Sequence, residues 1–140
     1  MTAACVKISP FINGSESVLE PVRGCLAQDY DSFQVALVPD LPITRPSDIG
    51  NDKRITVITT GDETIARKRN SAIDFFTDAA YFALIDSDAY PDTEWLTKGI
   101  SFLAGRRDVW AGGGPNISLP RETFMQRVVG NVFYCLQQGK

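Results

Sequence analysis

Residues 81–96 read YFALIDSDAYPDTEWL. An apolar run stops in an Asp-Ser-Asp triplet, and a Pro-Asp turn follows. The run is short and continuous rather than alternating, the pattern of a strand buried on both faces of a sheet. Asp92 stands where a helix N-cap is expected, and Gly105 stands where a helix over 92–105 would stop. A buried strand that ends in carboxylates and hands over to a helix is a unit of a parallel α/β sheet. In open sheets of that kind, ligands bind beyond the carboxyl ends of the strands.

The flanking sequence repeats the same alternation. CVKISPF (5–11), FQVALVP (33–39) and ITVITT (55–60) read as strands, AYFALID (80–86) as another, and DVWAGGG (108–114) as a last one running into a glycine turn. Between them, a helix capped by Ser15 or Ser17 is expected to run to about Gln28, with Val18, Leu19, Val22, Cys25 and Leu26 at helical spacing. A second helix is expected from Asp62, with Ile65, Ala66, Ala72, Ile73 and Phe76 on one side. Residues 121–138 have an amphipathic helical pattern, and residues 40–54 show no clean period and read as irregular. The expectation is one α/β domain over 1–140, with a mostly parallel sheet covered by helices on both faces.

Composition narrows the chemistry. The 140 residues carry a formal net charge of -3, against the basic footprint of a duplex nucleic-acid binder. There is no histidine, so acid–base or metal chemistry must rest on Asp, Glu, Cys, Lys or Tyr. Cys5, Cys25 and Cys135 are odd in number and widely spaced, which fits neither a disulfide framework nor a zinc cluster. They read as plain thiols of a reducing compartment. The first residues, MTAACVKISPF, have neither the basic nor the apolar region of a signal peptide, and no run reaches the ~18 apolar residues of a membrane span. These features lead to the expectation of a cytoplasmic protein.

At the triplet, extended backbone would point Asp86 and Asp88 to one side and Ser87 to the other. Two such oxygen donors suit Mg2+ or Mn2+, which bind one or two carboxylates together with substrate phosphates. An EF-hand loop starting at Asp86 would need Gly at its sixth position and Glu at its twelfth; Pro91 and Thr97 occupy them. The calcium loop is excluded. A simple turn at a strand end remains the alternative, because Asp is a common turn residue.

A series of short motifs then runs in order along the chain: VKISPFIN, LEPVRGCLAQDYDSFQVALVPD, ARKRNSAIDFF, YFALIDSDAYPDTEWL and AGGGPNISLP. The series resembles the N-terminal, donor-binding half of a family 2 glycosyltransferase of the GT-A fold. What the resemblance implies is inverting transfer of a sugar from a UDP- or GDP-sugar donor to an acceptor hydroxyl, assisted by Mn2+ or Mg2+. Asp88 would ligate the metal directly, and Asp86 would lie nearer the ribose or reach the metal through water. Asp40 would face the nucleobase, and Pro10, Phe11 and Asn13 would shape its pocket. Arg67 or Arg69 would counter diphosphate charge, a guanidinium matching phosphate geometry; a solvated basic helix face is the alternative for both.

The sequence departs from the pattern at PDLP (39–42), where relatives usually carry Asp-Asp-Gly-Ser. The resemblance places the general base well downstream of the glycine turn. It is therefore expected beyond Lys140, in a missing acceptor-binding half, together with any association with the inner face of the cell membrane. Asp92 and Glu94 are better explained as residues favoured by a helix dipole. Two other readings remain: a catalytically incomplete nucleotide-binding or interaction module of the same fold, and a nucleotidyltransferase. The second would need basic residues after the first strand, and PFINGSES has none.

Overall fold

The computed structural model describes residues 5–11, 19–44 and 47–114. The chain divides into two compact units, Met1–Ser101 and Phe102–Lys140. In the first unit, strands β1 (Cys5–Phe11), β2 (Phe33–Pro39), β3 (Ile55–Val57) and β4 (Tyr81–Leu84) alternate with helices α1 (Leu19–Leu26), α2 (Ser47–Gly50) and α3 (Ile65–Phe75). Helix α4 (Trp95–Ala104) follows β4. The four strands form one parallel sheet in the order β3-β2-β1-β4.

β1 and β2 have the expected bounds. Continuous apolar runs leave no choice of face, and β2 is buried at every position except Gln34. Val35 and Leu37 join Val22 and Cys25 of α1, Ile49 of α2 and Leu96 of α4 in one core. Ala36 and Val38 point the other way and meet Ala72 of α3, with Ile73, Phe76 and Phe82 packed around them. Helices therefore cover both faces, as the alternating β and α pattern requires. Cys25 is buried in the first of these cores.

Several boundaries differ from the sequence expectation for identifiable reasons. β3 is assigned only to Val57, yet Ile58 N–H still donates to Leu37 O (2.9 Å) and Thr60 N–H to Pro39 O (3.1 Å). The polar tail of ITVITT follows β2 without a full ladder. Helix α3 is capped by Thr64, whose hydroxyl accepts from Arg67 N–H, and not by Asp62. The intervening Gly61 has φ 78°, a left-handed conformation that suits glycine. Ile65 and Ala66 are exposed, so the apolar side of α3 runs through Ala72, Ile73 and Phe76. Within 40–54, the four residues of α2 are too few to show a period, and Ile49 anchors them. Residues 108–114 are turn and irregular backbone, not strand, and Trp110 is exposed. The helices expected to begin at Ser15 or Ser17 and to span 121–138 have those parts outside the described residues.

At the amino ends of the strands, Arg54 ties three elements together. Its guanidinium donates to both carboxylate oxygens of Asp52 (2.7 and 3.1 Å) and to Leu26 O at the end of α1 (3.1 Å). It also lies over the Phe33 ring, 4.8 Å from the centroid. The Arg54 side-chain bonds, with a further one from its backbone N–H, hold the Asp52 carboxyl below its ordinary value. A lowered folded-state value stabilises the fold above the unfolded value, about 4, and the gain disappears as pH falls through the folded value. Asp52→Asn should therefore melt below the native protein at pH 7, and the gap should close as pH drops below about 4. A gap constant from pH 7 to pH 2 in thermal denaturation would contradict this.

Candidate donor-binding site

The order β3-β2-β1-β4 places a topological switch point between β1 and β4. Successive units go from β1 outward to β2 and β3, and the chain then crosses back to the far side of β1. Such a point opens a crevice at the carboxyl ends of the strands. Its opening is visible in the register. β1 pairs with β2 through Phe11 and Pro39, but with β4 only through Ile8 and Leu84. Beyond Leu84 the chain leaves β1, and this departure brings it to the Asp-Ser-Asp triplet.

The triplet is a turn and not extended strand. Ala89 N–H donates to Asp86 O at 3.1 Å, closing four residues, with Ile85 buried immediately before them. The strand-based reason for Asp86 and Asp88 to share a side therefore does not apply. Both are exposed. Among the described residues no third His, Cys, Asp or Glu joins them in a potential metal cluster.

Helix α3 crosses the other side of this crevice. Lys68, one turn into the helix, is 2% exposed and pairs with the carboxylate of Asp40, which follows β2. The next residue, Arg69, donates from Nη2 to Asp86 Oδ1 at 2.9 Å. Arg69 Nε is buried and has no hydrogen-bond partner. Two consecutive cations thus hold acids that follow strands on opposite sides of β1. Asp40 is fixed by its backbone as well, its carbonyl accepting from Gly61 N–H at 3.1 Å.

Arg67 is placed elsewhere. It forms an exposed pair with Glu63 at 3.2 Å, and both line an open groove of about 470 Å3 with Thr59, Thr60, Asn70 and Asp74. The solvated-face reading fits Arg67, while Arg69 joins the carboxylate site. Pro10 and Phe11 end β1 in register with Val38 and Pro39; Asn13 lies outside the described residues. Helix α4 starts at Trp95, three residues later than the sequence suggests; Asp92 opens the turn before it, its carboxylate accepting from Glu94 N–H at 3.0 Å.

Two contributors escaped the sequence reading. Lys68 lies four residues before Ala72, on the buried side of α3. A lysine at such a position needs an acid within reach. From the sequence, Gln28 is only the approximate end of the first helix. Its amide accepts from Leu96 N–H (3.1 Å) and donates to Asp92 O (2.7 Å), so it satisfies the start of α4.

The family model described as Glycosyl transferase family 2 matches residues 8–134. The chain belongs to that family. Among solved structures, it is similar to TarS 1-349 of S. aureus in complex with UDP-GlcNAc, at 21% identity and TM-score 0.62, covering 73% of this chain and 31% of that one. It is also similar to the mannosyltransferase PcManGT of Pyrobaculum calidifontis in complex with GDP-Man and Mn2+, at 20% identity and TM-score 0.59, covering 74% and 33%. These likenesses establish the GT-A fold. The chain spans about a third of the length of those structures. No curated protein in the comparison matches.

The buried pair yields a stability prediction. Lys68→Met leaves the Asp40 carboxylate in a poorly solvated place without its cation, which typically costs about 3–5 kcal/mol. Urea denaturation should show that loss, and Asp40→Asn combined with Lys68→Met should recover much of it. Equal stability of the single variant and the native protein would contradict the pairing.

Proposed function

We propose that this chain is the donor-binding region of a metal-assisted, inverting glycosyltransferase that moves a sugar from a nucleotide-diphosphate sugar to an acceptor hydroxyl. The arrangement at the switch point carries this reading: Asp86 and Asp88 in a turn after β4, with Arg69 of α3 bonded to the first of them. Family membership and the nucleotide sugars bound in the similar structures, UDP-GlcNAc and GDP-Man, support the same substrate class.

Asp88, with Asp86 beside it, would hold a Mn2+ or Mg2+ ion. When bound, the ion supplies Lewis-acid stabilisation of charge on the departing diphosphate. Arg69 has a guanidinium nitrogen on Asp86 and a buried Nε without a partner. Its remaining donors can meet diphosphate oxygens while the Asp86 bond holds the group in place. The acceptor oxygen attacks the anomeric carbon opposite the departing diphosphate, and that direction inverts the centre. The acceptor's proton passes to a general base.

The Asp40–Lys68 pair bears on how the base is read. Asp40 already has a cation partner, and Pro39 replaces the first acid of the usual motif. We assign Asp40 to supporting the pocket wall, with base recognition left to the backbone around Pro10, Phe11 and Asn13.

Calorimetry with UDP- and GDP-sugars tests the proposal. Mn2+ should strengthen binding of at least one of them relative to EDTA. Asp88→Ala should remove that gain, and Arg69→Ala should weaken binding about tenfold or more, as expected for a lost charge-assisted bond. The same affinity in EDTA and in Mn2+ would overturn the metal role.

A further inference from the structure

The loop bearing Asp86 and Asp88 has two ends, and helix α1 holds the second. β4 fixes the first end, and buried Ile85 anchors it. At the other end, Pro91 packs against Gly24 so closely that a Cβ there would lie 3.3 Å from Pro91 Cδ. One turn later, the Gln28 side chain, 8% exposed, bonds three backbone groups: Nε2 donates to Gly24 O (3.3 Å) and Asp92 O (2.7 Å), and Oε1 accepts from Leu96 N–H (3.1 Å). Asp29 continues the seam. Its N–H donates to Thr93 O (3.0 Å), and its carboxylate accepts from the Thr97 hydroxyl (2.7 Å).

We propose that Gln28 is a positioning residue for the diphosphate-metal site. It fixes the distal end of the 85–92 loop and so sets where Asp86 and Asp88 stand. This rests on the donor-site reading above. Gln28 touches neither carboxylate, and its side chain is suited to the task because one amide presents a donor and an acceptor in one plane. The Leu96 N–H is among the first-turn donors that a helix cannot satisfy internally. Without Gln28, the Leu96 N–H would need a new partner, and the Asp92 carbonyl would keep only its bond from Trp95 N–H (3.0 Å). The stretch from Asp86 to Asp92 would then be held at its distal end by Pro91, the Asp29 seam and the local bonds of Asp92 to Glu94 and Trp95. Supporting groups of this kind typically change metal affinity about 10–100-fold.

The test uses the full-length protein carrying Gln28→Leu, with Thr97→Val as a second variant that removes only the exposed Thr97–Asp29 bond. Mn2+ binding in the presence of nucleotide is read by electron paramagnetic resonance of free Mn2+, and nucleotide binding is measured separately in EDTA. Amide hydrogen exchange at Ala89 is compared with that at Ile58, a sheet-side amide. Gln28→Leu is expected to weaken Mn2+ binding about 10–100-fold, to leave nucleotide affinity in EDTA within about twofold, and to speed exchange at Ala89 but not at Ile58. Thr97→Val is expected to move the same quantities in the same direction by less. Unchanged Mn2+ affinity and unchanged Ala89 exchange in both variants would overturn the inference, as would equal acceleration at Ala89 and Ile58, which marks general destabilisation. A native protein that gains nothing from Mn2+ fails differently: it overturns the donor-site reading, and the inference with it.

Discussion

Lys68 and Arg69 are neighbours in sequence, yet they bond carboxylates that belong to opposite flanks of the sheet's central strand. Asp40 follows β2 and Asp86 follows β4, with β1 between them. Consecutive helical side chains are splayed about 100° apart, so one helix laid over the carboxyl ends can reach both sides. The constraint acts in both directions. The helix must enter at the height set by Gly61 and the Thr64 cap, and each acid must leave its strand at the level where a basic side chain can meet it. The two pairs differ in surroundings. Lys68 is almost wholly buried, whereas Asp86 is open to water. The first pair is framework, and the second is accessible to a charged ligand.

The distal end of the 85–92 loop depends on a polar seam. Gln28 and Asp29 sit where α1 gives way to β2, and they fasten residues 92–97 by side-chain and backbone bonds. The triplet is thereby suspended between buried Ile85, which follows β4, and the polar seam before α4. Its turn is held at both ends while its carboxylates remain exposed, a division of labour suited to a loop that must present charge to a ligand.

The architecture was legible because its signals are collective. Continuous apolar runs such as FQVALVP can be buried only on both faces, and their alternation with helical segments leaves a parallel sheet as the ready solution. The ordered motifs and the match over residues 8–134 then agree. What stayed hidden depends on pairs of residues far apart in sequence. Nothing near Lys68 reveals Asp40, 28 residues earlier, and nothing near Gln28 reveals Leu96, 68 residues later. Arg67 and Arg69 have the same charge and near-identical local context. Only the helix phase separates them, sending one to Glu63 and the open groove and the other to Asp86. The strand expected at 108–114 had the right composition, but a strand also requires a partner ladder, which composition does not encode.

The central claim is that the turn after β4, together with Arg69, is where a divalent cation and a nucleotide diphosphate meet. Paramagnetic broadening by Mn2+ in an amide spectrum recorded with a nucleotide sugar locates the ion directly. The account predicts that the amides of Asp86, Ser87, Asp88 and Ala89 broaden first and that Arg69 follows. Broadening centred instead on the acidic groove beside Glu63 and Asp74, or on Asp92 and Glu94 at the start of α4, would contradict it.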